Sequence, residues 1–411
     1  MVFLYTLGIR LYLILVRIAS PFNPKAKQWV DGRKNLFSRL EAAIGTGNRI
    51  AWFHCASLGE FEQGRPVIEE FKQQYPDIKI LVTFFSPSGY EVRKNYAGAD
   101  FIFYLPIDTW RNARKFVRLV NPEVVFFVKY EFWYFMLNRL KQEGIKTYLI
   151  SAIFRPDQLF FKRYGLWYRH MLRCFTHFFV QNHQSEQLLL SIGFSNVTIS
   201  GDTRFDRVSQ IATQAKDIQA IGTFKNGEMT IVAGSTWPKD EELLANWFKG
   251  CSTNIKMVIA PHEIGEEHIQ RIVQLFEGVP TVRFTQAVQS DLANARLLIL
   301  DTIGKLSSAY RYGEVAYIGG GFGTGIHNTL EAATWGKPVV FGPRYQKFKE
   351  AFDLIAGGGG FSVKSQEELS DTLNSLITTP ELLKHGAQFA REYVDMKRGA
   401  TGRILDAIKV N

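Results

Sequence analysis

Two carboxylates stand where a carboxylate can do chemistry. The first is Glu60 in HCASLGEFEQG (residues 54–64), three residues after Ser57 at the end of an apolar run. Serine at a helix start and glutamate three positions on form a capping box, in which the glutamate reaches back to the serine N–H. The same group, at the head of a helix, is also placed to take a proton from a substrate hydroxyl. The helix dipole holds such a carboxylate ionised, so the base is available but weak. From spacing alone, cap and base both stay open. The second is Glu331 in EVAYIGGGFGTGIHNTLEAATWGKPVVFGP (314–343), where five glycines fall within residues 319–325. A helix opening near His327, with the N–H groups of Gly320 and Gly321 beside it, suits a phosphate. Glu331, four residues after His327 and so on the same helical face, can accept two hydrogen bonds from ribose hydroxyls. That describes a nucleotide held by phosphate and sugar. The plainer alternative is a turn tightened for packing, with Glu331 on a solvated helix surface.

Other motifs fail on spacing. HEIGEEH (262–268) sets its histidines six residues apart rather than four, so they cannot share a helical face as metal ligands, and no metal site is expected. GGGFGTG has Thr324 where the dinucleotide fingerprint needs its third glycine, and Lys337 is followed by Pro338 rather than the Ser or Thr of a phosphate-binding P-loop. Cys55, Cys174 and Cys251 are odd in number and far apart, which excludes a disulfide framework and fits a reducing compartment.

The elements that must position these groups alternate. RIAWFHC, IKILVTF, DFIFYL, EVVFFV, KTYLIS, HFFVQ and NVTIS read as strands, followed by MTIVAGS, IKMVIAP, ARLLILD, EVAYIGG and KPVVFG. Near-continuous apolar strands separated by helix-length segments imply parallel sheets covered on both faces, in two sets. At 411 residues and 46% apolar content, two packed cores are the expectation. The polar stretch 209–228 marks the boundary, giving an N-terminal Rossmann-like domain at 25–210 and a second at 211–411, whose last helix is free to pack back on the first. Two doubly wound domains facing a cleft is the expected α/β architecture, with ligands at the carboxyl ends of the strands.

The chain carries a formal charge of +10, which favours anionic partners. In residues 1–24, MVFLYTLGIRLYLILVRIASPFNP, Arg10 and Arg17 share one helical face with Thr6 and leave a broad apolar face opposite. This is the pattern of a helix lying in a membrane interface, and the run is also long enough to anchor there. Lys25, Lys27, Arg33 and Lys34 follow, a basic flank that points to the cytoplasmic side of a membrane.

HCASLGE (54–60), EFW (131–133), GDTRFD (201–206), AGSTW (233–237), APHE (260–263), DTIGKL (301–306) and HNTLEAATWGKPVVFGP, in this order, resemble the 3-deoxy-D-manno-octulosonic acid (Kdo) transferase family of lipopolysaccharide assembly. The resemblance implies the GT-B fold of two Rossmann-like domains. It implies inverting, metal-independent transfer of Kdo from CMP-Kdo to the tetraacyldisaccharide precursor of lipid A, without a cofactor or nucleic acid, at the cytoplasmic face of the inner membrane. It makes Glu60 the base. It assigns CMP contacts to Pro261, His262, Ile303, Gly304, Lys305, Asn328, Thr329, Leu330 and Glu331. Arg204 stands where the family commonly has lysine, a cation for charge on the donor. Two departures matter: Lys129 replaces the first acid of the family's Glu-Thr-Glu-Leu-Trp-Pro motif, with Glu131 and Trp133 kept, and Lys305 replaces a glutamate. Either Glu131 takes over the missing acid's role or that role is absent. His54 reads as structural, like most lone histidines beside apolar strands. The alternative is another GT-B enzyme moving a sugar from a UDP donor to a lipid.

Overall fold

The computed structural model describes residues 1–251 and 254–408. They form two compact units: Met1–Arg207 together with the segment from Arg398 onward, and Val208–Lys397. The division falls inside one helix, Thr203–Gln214.

The first unit is built on seven strands: β1 (Ile50–Cys55), β2 (Lys79–Phe84), β3 (Phe101–Tyr104), β4 (Val124–Val128), β5 (Lys146–Ala152), β6 (His177–Val180) and β7 (Val197–Ile199). They lie in the order β3-β2-β1-β4-β5-β6-β7, and every pairing is parallel. β1 and β4 are buried along their whole length, as strands covered by helices on both faces must be. Successive side chains serve opposite layers. Phe53 stacks on Phe126 with ring centroids 4.4 Å apart, while its neighbour Trp52 meets Phe116 and Phe127 at 4.9 and 5.4 Å. Each fully buried ring contributes about 1.5–3 kcal/mol, so the two layers fix the register of the central strands.

The second unit repeats the plan with β8 (Met229–Thr236), β9 (Ile255–Pro261), β10 (Thr281–Arg283), β11 (Leu297–Ile299), β12 (Val315–Ile318), β13 (Val339–Phe341) and β14 (Gly360–Ser362). Their order is β10-β11-β9-β8-β12-β13-β14, again all parallel. The two strands not legible in the sequence, β10 (Thr-Val-Arg) and β14 (Gly-Phe-Ser), are short edge strands with a single large apolar side chain each, so neither shows an apolar run.

In each sheet the winding direction reverses once, between β1 and β4 and between β8 and β12. Loops leaving strands on either side of such a reversal diverge, which opens a crevice at the carboxyl ends. Strained backbone collects there. Lys129, Ser151 and Ser235 adopt left-handed φ of 66°, 51° and 52° although none is glycine. Such residues cost about 1–3 kcal/mol each, which surrounding structure must offset. Ser151 is held by a 2.8 Å hydroxyl contact with Thr203 and by Gln181, which donates to its carbonyl at 3.0 Å.

The C-terminal helix Ala400–Asp406 packs on the helix Leu58–Gln74, within the first unit. Asp206 fastens its start, accepting from the N–H groups of Gly399 and Thr401 at 2.6 and 2.7 Å and from the Thr401 hydroxyl at 2.8 Å.

Candidate active site

Glu60 lies in the first turn of the helix Leu58–Gln74, directly after β1. Its Oε2 accepts from the Ser57 N–H at 2.8 Å and from the Ser57 hydroxyl at 3.1 Å, the reach-back half of the expected capping box. The helix-dipole argument gave a weakly basic carboxylate. The opposite holds: burial first, and then the charge of Glu131, raise its pKa above the ordinary 4.5, and the Ser57 contacts only partly counter them. Desolvation outweighs the dipole because Glu60 is half-buried beside a second acid. A raised carboxylate is a stronger base at neutral pH than a solvated one.

Glu131 comes from the segment after β4, across the switch point. Its Oε2 takes the Trp133 indole N–H at 2.7 Å and lies 3.2 Å from His54 Nε2. Lys129, two residues earlier, sits at the strained turn, with its ammonium 5.8 Å from the Tyr130 ring centroid. Tyr130, its phenol pushed up by burial, lies within electrostatic reach of Arg155, Glu60, Arg204 and Asp202. Arg204 is braced on Asp202: its Nε and a terminal nitrogen each lie 2.8 Å from Oδ2, and its backbone N–H meets Oδ1 at 2.9 Å. The first unit therefore brings Glu60, Glu131, Lys129 and Arg204 around Tyr130.

The N-terminal helix, Val2–Ala19, has no buried residue, and Phe3, Leu7, Leu11, Ile14 and Ile18 stand exposed on it. It is long and apolar enough to cross a membrane. Tyr5 fastens it beside Glu131, donating to Asp108 Oδ2 at 2.6 Å and packing on Tyr134, Phe135 and Trp167. Asp108, 1% exposed, also accepts from the N–H groups of Phe135 and Met136 at 3.0 and 2.9 Å, and burial raises it to about 6. Tyr5→Phe removes one of its three donors, with an expected loss of about 1–3 kcal/mol in denaturant unfolding of the detergent-solubilised full chain. Because folding raises this carboxyl from 3.8 to about 6, the native state binds the extra proton. Its contribution to stability therefore falls as pH rises through that window and is level above it. Asp108→Asn should erase that slope.

In the second unit, three aromatic rings gather at the ends of β8, β9 and β12. Trp237 stacks on His262 at 4.8 Å, His262 meets His327 at 4.6 Å, and the Trp237 indole donates to His327 Nε2 at 3.1 Å. Burial, then His262, lower the pKa of His327. Pro261 ends β9 paired with Thr236, whose carbonyl accepts the His262 N–H at 2.9 Å. Ile303, 82% exposed, and Gly304 form a solvent-facing loop, and Lys305 sits beside it, 5.5 Å from the Phe284 ring.

Two expectations change here. The helix after the glycine run begins at Leu330, not near His327, and spans only Leu330–Ala333. Glu331 and His327 thus share no helical face. The Gly320 N–H, offered to a phosphate in the sequence reading, already donates to the buried Asp240 carboxylate at 2.8 Å, which also binds the Trp237 N–H and the Tyr317 hydroxyl. Close packing accounts for two of the glycines: a Cβ on Gly319 would sit 2.2 Å from the Ser235 carbonyl oxygen, and one on Gly321 2.6 Å from Gly342. Glu331 is nevertheless well poised. Ser307 and Asn328 donate to one oxygen each, and a carboxylate keeps room for further donors. The Thr329 hydroxyl beside it is buried and has no hydrogen-bond partner among the described residues. Asp240, Ser307 and Trp237 were missed as site residues. Asp240 was findable, since it stands three residues after Trp237, the spacing of a reach-back cap. Among the described residues, no group of three or more His, Cys, Asp or Glu is placed to hold a metal ion.

Two Rossmann-like parallel sheets, each with polar groups gathered at its switch point, define a GT-B fold. UDP-GlcNAc 2-epimerase from Neisseria meningitidis matches with a TM-score of 0.61 at 15% identity, over 88% of this chain and 99% of the other. MurG from Acinetobacter baumannii matches with a TM-score of 0.56 at 14% identity, over 88% and 99%. Sequence relationships narrow the class. Residues 32–207 match the family model described as 3-deoxy-D-manno-octulosonic-acid transferase (kdotransferase). The transferase of that name from Aquifex aeolicus is 26% identical over 81% of this chain and 87% of its own length. That from Chlamydia trachomatis is 28% identical over 85% and 83%, and that from Rickettsia prowazekii 25% over 88% and 79%. Over most of its length the chain is similar to the Kdo transferase family.

Proposed function

We propose that this protein transfers Kdo from CMP-Kdo to the tetraacyldisaccharide precursor of lipid A in lipopolysaccharide biosynthesis, with inversion and with Glu60 as general base. The observation that carries the reading is Glu60 itself, a half-buried carboxylate with raised proton affinity, held at the end of β1 by Ser57. In the reaction an acceptor hydroxyl passes its proton to Glu60 while its oxygen bonds to the anomeric carbon of Kdo. The bond from that carbon to the CMP phosphate breaks on the opposite face, and the electron pair leaves with CMP. Arg204, fixed by Asp202, supplies positive charge for the phosphate, and Glu131 is the surviving acid of its motif. No metal or cofactor has a step in this scheme.

The second unit supplies the nucleotide contacts. Glu331 takes the ribose hydroxyls alongside Ser307 and Asn328, Thr329 gives its unused hydroxyl, and Pro261, His262, Ile303, Gly304, Lys305 and Leu330 complete the CMP contacts. With the Gly320 N–H engaged, the phosphate falls to Gly321, the His327 ring and Lys305. The exposed apolar helix Val2–Ala19 rests on the cytoplasmic face of the inner membrane, where a tetraacylated acceptor resides. No nucleic acid is involved.

Donor competition tests the reading. Excess CMP should suppress transfer of radiolabelled Kdo, and UDP-sugars should not. At one hundred times its Kd, CMP should also stabilise the protein by about 2.7 kcal/mol. Suppression by UDP-sugars, or their turnover, would favour a UDP-sugar transferase instead.

A further inference from the structure

His54, at the end of β1, is fully buried and ringed by polar partners, an unusual setting for a packing residue. Its Nδ1 lies 2.9 Å from the Thr83 hydroxyl and 3.2 Å from the Thr83 carbonyl, and its Nε2 lies 3.2 Å from Glu131 Oε2. The Thr83 hydroxyl oxygen in turn accepts the Trp52 indole N–H at 2.7 Å. One arrangement of protons satisfies all of these except the Thr83 carbonyl, which a bare Nδ1 leaves unbonded. Trp52 donates to Thr83, the Thr83 hydroxyl donates to Nδ1, and the ring carries its proton on Nε2, donating to Glu131. The Trp133 indole N–H also lies 3.1 Å from Nε2. A bare Nε2 accepting it would set a lone pair against the Glu131 carboxylate, so its shorter 2.7 Å contact to Glu131 is the bond.

We infer that His54 is a positioning residue for the transfer reaction: the relay Trp52–Thr83–His54, with Trp133, clamps Glu131 Oε2 and so fixes that carboxylate against Glu60. This rests on Glu60 being the base. Glu131 Oε1 has no hydrogen-bond partner among the described residues, so the clamp holds one oxygen and leaves the other for the reaction. The clamp also sets the base's strength, because the charge of Glu131 stands next to burial among the causes raising Glu60, ahead of the opposing effect of His54. The remaining titratable and charged groups about the pair are Cys55, Glu62 and Tyr130, with Lys129, Arg155, Arg204 and Asp202 around Tyr130, and Tyr5 with Asp108 beside Glu131. None of them bridges Glu131 as His54 does.

The test compares His54→Asn with His54→Gln in full-length enzyme. Asparagine's amide reaches only the Thr83 side, whereas glutamine's reaches the position of Nε2 and keeps the donor to Glu131. His54→Asn should lower kcat roughly 10- to 100-fold, the order expected when a reacting group drifts by about 1 Å, with KM for CMP-Kdo unchanged. The acid limb of its kcat/KM profile should move to lower pH, because Glu60 loses the charge beside it. His54→Gln should recover most of the rate and the wild-type limb. Trp133→Phe, which deletes the other donor, should shift the limb as His54→Asn does. If every variant loses rate only in step with its melting temperature and keeps the wild-type limb, His54 is packing and the inference falls. If Glu60→Gln turns over normally, the base assignment falls first and takes this inference with it.

Discussion

Glu60→Gln should lower Kdo transfer by about 10²- to 10⁴-fold, the range expected for loss of a general base, while the protein should stay folded and still bind CMP-Kdo. The substitution separates the cap from the proposed base, which share one atom. Glu60 Oε2 accepts the Ser57 N–H at 2.8 Å. A glutamine carbonyl oxygen can occupy that position, so the helix start survives. The amide cannot take a proton from an acceptor hydroxyl. Wild-type kcat/KM should fall on the acid side along a limb above the ordinary glutamate value of 4.5, since burial and Glu131 raise the group. Glu60→Asp should retain a base but lose the reach to Ser57, giving an intermediate rate and a less stable helix start. Near-normal turnover in Glu60→Gln would reduce Glu60 to a cap.

Arg204→Ala should cost about 10²- to 10³-fold in kcat, as loss of one preorganised charge-stabilising group does elsewhere. The effect belongs in kcat rather than KM because phosphate charge grows as the glycosidic bond breaks. Preorganisation comes from Asp202, which grips the guanidinium at two 2.8 Å contacts and also holds the backbone N–H of Arg204 at 2.9 Å. Arg204→Lys keeps the charge but loses the fork, so its rate should lie between the two. Asp202→Asn frees the fork without removing the cation and should resemble the lysine variant. A normal kcat in Arg204→Ala, at unchanged stability, would make the pair a brace for the turn into the helix Thr203–Gln214.

Legibility followed the physics of each feature. The buried strands announced themselves as apolar runs because both faces are covered, and β10 and β14 escaped because Thr-Val-Arg and Gly-Phe-Ser at the sheet edges hold one large apolar side chain each. The Ser57–Glu60 contact was findable because the spacing is local. The strength of Glu60 was not, since it depends on Glu131, 71 positions away in sequence and brought near only by the pairing of β1 with β4. The polar partners of His54 were illegible for the same reason: Thr83 and Glu131 lie on other elements. The helix start at Leu330 was missed because glycine density was read as a helix approach, whereas Gly319 and Gly321 serve close backbone packing and the chain turns helical only at Leu330, whose N–H donates to Asn328 Oδ1 at 3.1 Å. Long-range electrostatics and steric crowding are properties of the fold, and single positions carry little trace of them.

The most direct test is mass spectrometry of the lipid after the purified full-length protein, CMP-Kdo and the tetraacyldisaccharide precursor are incubated together, beside the same reaction with Glu60→Gln. Lipid carrying one or more added Kdo residues with the wild-type protein, and almost none with the variant, is the predicted result. Unmodified lipid with the wild-type protein, or equal product from both, would contradict it.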